Sequence, residues 1–260
     1  MTTAPTQAPM TREAHLDYLL RLADGSLVLS QRLSEWCGHG PVLEADIAFT
    51  NIALDLLGQA RLLYAHAGAI EGAGRDEDAF AYWREDRDFR NPVLVELPNG
   101  DFGQSVLRSW LYVVYQRHLW QAMTGSTDAT LAAIADKSAR ETAYHCTHLV
   151  SWVVRLGDGT EESHRRLQTA LDYVWPYTQE LLSEDAVEQA ARDCGLVPGY
   201  DRVAAAWQQE CAAELSRATL IPPPPSRFVS GGRQGRHSEH LGYLLAEMQS
   251  LARAHPGAQW

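Results

Sequence analysis

The sequence predicts an all-α protein, an up-and-down bundle of long helices with additional shorter ones attached. Three observations point there. Apolar residues recur at helical spacing along most of the chain, Gly and Pro cluster between those segments, and no useful period-two strand pattern appears. The 260 residues suit one large helical domain. No internal repeat and no linker divides residues 11–260, so they read as a single domain. Residues 1–10 are rich in Thr, Pro and Ala and lack a basic stretch before an apolar core, so they read as a disordered leader rather than a signal peptide.

The elements follow in order. A first helix is expected from about Thr11 to Cys37, with Leu16, Leu19, Leu20, Ala23 and Leu27 at helical spacing, ended by Gly38, Gly40 and Pro41. A second, from Leu43 to Gly72, is apolar on nearly every side, the pattern of a helix buried all round. Residues 75–100 read as a non-repetitive excursion rich in charge and aromatics. Asp101 is placed to cap a third long helix through about Thr124, and Asp128 to cap a fourth that reaches Leu156. A fifth covers Glu161 to Leu182, with a kink expected at Pro176. Helices over Asp185–Cys194 and Gly199–Ala218 come next. The stretch from Ile221 to Pro225 cannot be helical, and a last helix spans His237 to Ala254.

Charge and composition exclude several classes. A net charge of −11 argues against a nucleic-acid-binding surface. No apolar run approaches a membrane span. The four cysteines, Cys37, Cys146, Cys194 and Cys211, are scattered without a Cys-x-x-Cys and read as buried free thiols of a cytoplasmic protein. Arg227, Arg233 and Arg236 stand close together in a Gly-rich stretch, where they would suit a coenzyme A phosphate or an acidic partner.

The candidate chemistry lies in two helices. Di-iron carboxylate bundles bind metal through two Glu-x-x-His pairs plus one carboxylate from each of two other helices. The three-residue spacing sets both side chains of a pair on one helix face. Here that frame holds Leu56 and Gln59 in one helix, Thr142 and His145 in another. Leu binds no iron, and neutral Thr and Gln replace a carboxylate and an imidazole poorly. Glu141 and His145, four residues apart with His148 nearby, suit a buried polar pair better than a metal pair. Asp55 and Gln59 are placed to hydrogen-bond across the bundle to His145 or Glu141. Glu35 alone cannot hold iron. His237-Ser238-Glu239-His240 reads as a capped helix start, with Leu241, Leu244, Leu245, Met248 and Leu251 as the docking stripe.

Longer strings carry a resemblance. Ser34-Glu35-Trp36-Cys37-Gly38-His39-Gly40-Pro41, Asn51-Ile52, Leu54 to Arg61, Leu94-Val95-Glu96 and Pro98 to Phe102 are similar to the structural (C) subunits of bacterial phenylacetyl-CoA ring epoxidases. So are Ala143-Tyr144-His145, Arg155 to Thr160, Glu239 to Gly242 and Leu245 to Gln249, and the similarity runs from about Leu16 to Trp260. The resemblance implies a ferritin-like subunit with no cofactor of its own. Its implied partners are a di-iron catalytic A subunit of the same fold, a small B subunit and a flavin/iron–sulfur reductase supplied by NADPH. Self-association is a further expectation. The implied complex inserts one oxygen atom of dioxygen into the aromatic ring of the thioester. Laid on the catalytic sister, Glu35 matches a ligand carboxylate and His145 a ligand histidine. Leu56, Gln59 and Thr142 fall on ligands that have been replaced, so Glu35, Asp55, Leu56, Gln59, Glu141, Thr142 and His145 read as a vestigial site. The rival readings are a di-iron oxidase using Glu35, Asp55, Glu141 and His145, and an accessory protein that binds the acyl-CoA through Arg227, Arg233 and Arg236.

Overall fold

The computed structural model describes residues 10–224 and 227–258. Residues 1–9 of the expected leader, Pro225 of the expected proline stop and the C-terminal Trp260 lie outside the described residues. Met10, the last residue assigned to the leader, packs against the core.

Two helical hairpins make the bundle. Helix α1 (Arg12–Ser34) runs against α2 (Leu43–Glu71), and α5 (Phe102–Met123) against α6 (Ala129–Gly157). The local signals explain these boundaries. Thr11, Asp101 and Asp128 each accept a hydrogen bond from the backbone N–H three residues on, and so cap α1, α5 and α6. Helix α2 ends at Gly72, whose φ of 68° is a left-handed cap that glycine adopts without strain. Helix α1 stops at Ser34 instead of Cys37 because Trp36 and Cys37 donate three residues back, winding the chain into tight turns.

The excursion at residues 75–100 is more ordered than its sequence suggests. It holds α3 (Glu77–Tyr82), a 3-10 turn and α4 (Val93–Glu96), too short to show a periodicity. The kink at Pro176 is present: α7 (Glu161–Val174) gives way to a 3-10 turn over Trp175–Thr178, and α8 (Gln179–Leu182) resumes beyond it. Asp185 caps α9 (Ala186–Asp193), and α10 (Asp201–Arg217) follows. Residues 221–224 are non-helical, as expected. Helix α11 (Glu239–Ala254) starts two residues later than predicted. The Ser238 hydroxyl makes no cap, because Glu96 Oε1 takes the Ser238 backbone N–H at 2.6 Å instead. On its docking stripe Leu241, Leu244 and Leu245 are buried, whereas Leu251 faces solvent.

The buried apolar side chains form one continuous cluster through the bundle. Helix α5 lies at its centre. Trp110, Tyr112, Tyr115 and Trp120, which the sequence offers as contact-surface candidates, are all buried there. Trp207 of α10 reaches in from outside, its Nε1–H donating to the Leu111 carbonyl at 2.9 Å. A buried Trp of this kind is worth about 3–5 kcal/mol against Ala.

Helix α2 departs from expectation. It is not buried all round: Leu43, Ile47, Leu54 and Leu62 are 71%, 50%, 61% and 42% exposed. Asn51, Ala65 and Ala69 continue the same outward line, with Gly58 half-buried between them. Steps of three and four residues keep these positions on one face of a helix. An all-round apolar pattern records burial without saying by what, and this chain alone covers only the inner side. Among the cysteines, Cys146 and Cys211 are buried free thiols, but Cys37 is exposed beyond the end of α1. Among the described residues, no helix is long and apolar enough to cross a membrane.

Candidate functional site

The polar positions singled out in the sequence meet between α2 and α6. His145 is buried, and its Nε2 lies 2.9 Å from Asp55 Oδ2 across the helix pair. One turn along, Gln59 Nε2 donates to Glu141 Oε2 at 3.1 Å, and Glu141 also pairs with Lys137 on its own helix. Both cross-bundle contacts expected of Asp55 and Gln59 are therefore present. With Nε2 bonded to a carboxylate, the proton sits there, and the inward Nδ1 is buried without a partner. Burial lowers the pKa of His145; Asp55 and Glu141 oppose that but do not overcome it. His145 is thus a neutral imidazole at neutral pH. Burial, helped by Arg155 and His145, lowers His148 as well.

Leu56 and Thr142 complete the interior face, both fully buried. The Thr142 hydroxyl donates to the Ser138 carbonyl at 2.7 Å, inside its own helix, and so offers little to a metal. The opposite wall is poorer still in anionic oxygen. Helix α5 contains no Asp or Glu over its whole length. On α1, Ser30 donates to the Ala53 carbonyl at 2.8 Å, and Ser26 accepts from Gln116 Nε2 at 3.0 Å. The fully buried carboxylate of α1, Asp24, is held by Arg84, Tyr64 and the Arg90 backbone N–H. This donor set does not fit a carboxylate-bridged pair of iron ions, which needs carboxylates from all four helices around two imidazoles. One neutral imidazole and two carboxylates at the rim, one of them 40% exposed, fall well short.

Glu35 does not join this group. It lies beyond the end of α1, accepting from Arg32 at 2.8 Å and from Asn99 Nδ2 at 2.7 Å. The contact of Ser30 with Ala53 sets Leu56 opposite the turn near Leu27, about two helical turns before Glu35. Matching Glu35 to a first-helix ligand therefore fails: α1 ends before that residue.

The three arginines are divided as well. Arg233 is buried, its guanidinium bonded to Glu188 at 2.9 Å and to the Tyr115 hydroxyl at 3.1 Å. Arg227 and Arg236 are exposed. A guanidinium already neutralised in the core is not available to a phosphate, so the expected patch is reduced to two surface residues.

Buried ionic networks are what the sequence reading missed. Asp24 joins Arg84 and Tyr64; Glu188 joins Arg21 and Arg233; Glu96 joins His237 and the Asn91 amide. Partners lie 40 to 167 residues apart in most of these pairs, beyond the reach of any local pattern. The one signal was an Asp inside an apolar stretch of α1, at position 24.

Fold and interior together define a ferritin-like helical-bundle protein whose metal-facing positions are filled by Leu, Gln and Thr. Sequence comparison agrees with that class. The chain matches the phenylacetic acid catabolic protein family over residues 1–260, and it belongs to that family. It is 44% identical over 243 residues to the C subunit of the 1,2-phenylacetyl-CoA epoxidase of Escherichia coli (strain K12), covering 94% of this chain and 98% of that protein.

Proposed function

We propose that this chain is the non-catalytic structural subunit of a cytoplasmic multicomponent epoxidase acting on the aromatic ring of phenylacetyl-CoA. In this reading it pairs with a di-iron catalytic subunit of the same fold and stabilises it. A small third subunit and a flavin/iron–sulfur reductase complete the complex. The chain itself carries no iron. The 44% identity to the structural component of such an epoxidase supports the pathway.

One observation carries the structural role: the outward apolar line of α2, from Leu43 through Ile47 and Leu54 to Leu62, with Tyr144 exposed on the adjoining α6. A line of this length spans about 30 Å or more at 1.5 Å per residue. Exposed apolar surface on that scale marks a protein contact, and permanent contacts commonly bury more than about 2,000 Å². A like-shaped helical partner would cover it.

The test is co-expression with the catalytic subunit, followed by the mass of the complex and metal analysis of each chain. Stable co-purification, iron confined to the partner, and loss of turnover or solubility when this chain is omitted are the expected results. Full turnover by the catalytic subunit alone, or about two irons per copy of this chain, would overturn the reading.

A further inference from the structure

We propose that His15, His66 and Asp128 form a binding site for one divalent transition-metal ion, zinc in the first place. The site is separate from the interior donors around His145. It joins the first turn of α1, the second half of α2 and the cap of α6, with His66 two turns beyond Gln59.

The donor atoms already converge. His15 Nε2 and His66 Nε2 lie 3.2 and 2.6 Å from Asp128 Oδ2, and the three ligand atoms all lie within 4.8 Å of one another. Tetrahedral zinc with bonds of about 2.0–2.1 Å spaces its ligands about 3.3 Å apart. The His15 spacing meets that value, and the His66 contact needs to open by only about 0.7 Å.

A purely hydrogen-bonded triad is less satisfactory. His66 takes the bond to Asp128, which leaves His15 Nε2 buried and too misaligned to make one. Such an orphan costs about 1–3 kcal/mol, and a metal would use the same lone pair. The protonation states also suit a cation. Burial lowers His15, with His66 adding to that against the pull of Asp128, so the imidazole is neutral. The Leu131 N–H and His66 hold Asp128 below the usual carboxylate range, against its partial burial.

Orientation is built in. Asp128 Oδ1 accepts the Leu131 N–H at 3.0 Å, which turns Oδ2 toward the two histidines. A ligand fixed from behind in this way is the arrangement that metal sites use. Three protein ligands leave a fourth position for water, and His66 also lines an open groove of about 500 Å³ with Leu62, Ala69 and Thr130, giving the ion a way in. Imidazole and carboxylate favour zinc, or iron(II) and cobalt(II), over magnesium.

The test uses the full chain stripped with a chelator. Zinc is titrated by calorimetry, and cobalt(II) by visible absorption. One equivalent is expected to bind, with the strong visible bands of four-coordinate cobalt. His15→Gln and His66→Gln are each expected to weaken zinc about tenfold or more, with helicity checked by circular dichroism. X-ray absorption on the unaltered zinc-loaded chain counts its imidazoles directly and needs no variant. Two imidazoles per zinc support the site. Fewer than two, no saturable binding, or equal affinity in folded variants would overturn it.

Discussion

His237 Nδ1 lies 2.7 Å from Glu96 Oε2, at the junction of α4 and α11, with both side chains almost wholly out of solvent. Burial alone would lower the imidazole, but the hydrogen bond and charge of Glu96 outweigh it, and His237 is raised above its ordinary 6.5. The folded chain therefore holds this proton more tightly than the unfolded chain does. Its stabilising contribution is full below about pH 6.5 and is lost as pH rises through the raised value. His237→Gln should flatten the fall in urea midpoint between neutral and mildly alkaline pH. An identical slope in variant and wild type would rule this out.

His145 has the opposite sign. Burial lowers its pKa despite Asp55 and Glu141, so on acidification the unfolded chain takes up the proton first. The neutral, bonded imidazole stabilises the fold above about pH 6.5, and that contribution disappears as pH falls toward the depressed value. Thermal unfolding of His145→Gln from pH 7.5 to 5 is expected to show a weaker acid dependence than wild type.

Asp24 of α1 is fully buried, and Arg84, nearly so, depends on it for charge balance. Removing one member of a buried pair leaves the other charged and desolvated, at a cost of about 3–5 kcal/mol. Asp24→Ala should lose about that much in chemical denaturation. Adding Arg84→Met should restore part of it, because the stranded guanidinium is then gone. A double variant as unstable as the sum of the singles would refute the coupling.

Gly157, the last residue of α6, lies against the cap of α10. A Cβ there would meet the Ala218 carbonyl oxygen at 2.3 Å and the Ala218 Cβ at 2.8 Å. Backbone must move to make room, so Gly157→Ala is expected to destabilise by about 1–3 kcal/mol. A more stable Gly157→Ala chain would show that the two helices separate easily.

The outer line of α2 predicts a separation of effects. Leu54 is 61% exposed, so Leu54→Glu should change the stability of the isolated chain by no more than about 0.5 kcal/mol. Combined with Ile47→Glu, it should abolish co-purification with the proposed catalytic partner. Retained pairing would move the contact to another face.

Much of the bundle is legible because its signals act within a turn or two. Asp101 and Asp128 cap the helices they precede, Gly72 ends α2, and Pro176 interrupts a helix that resumes three residues later. The Asp55–His145 and Gln59–Glu141 contacts are readable for a related reason. Buried polar residues at matching helical positions must find partners, and few were on offer. Arg233 misleads because a Gly-rich neighbourhood resembles an exposed loop, whereas Glu188 and Tyr115 draw the side chain into the core.

The amino-acid sequence alone determines the all-helical class, where the long helices begin and end, and the lack of carboxylates that a di-iron centre needs. Those follow from periodicity, capping and residue chemistry, which each segment carries within itself. Tertiary structure decides which side of α2 stays uncovered, that Glu35 stands apart from His145, and that His15, His66 and Asp128 meet. The physical reason is that such placements depend on how one helix packs against another far along the chain. Local propensity sets a helix's face but not its neighbour.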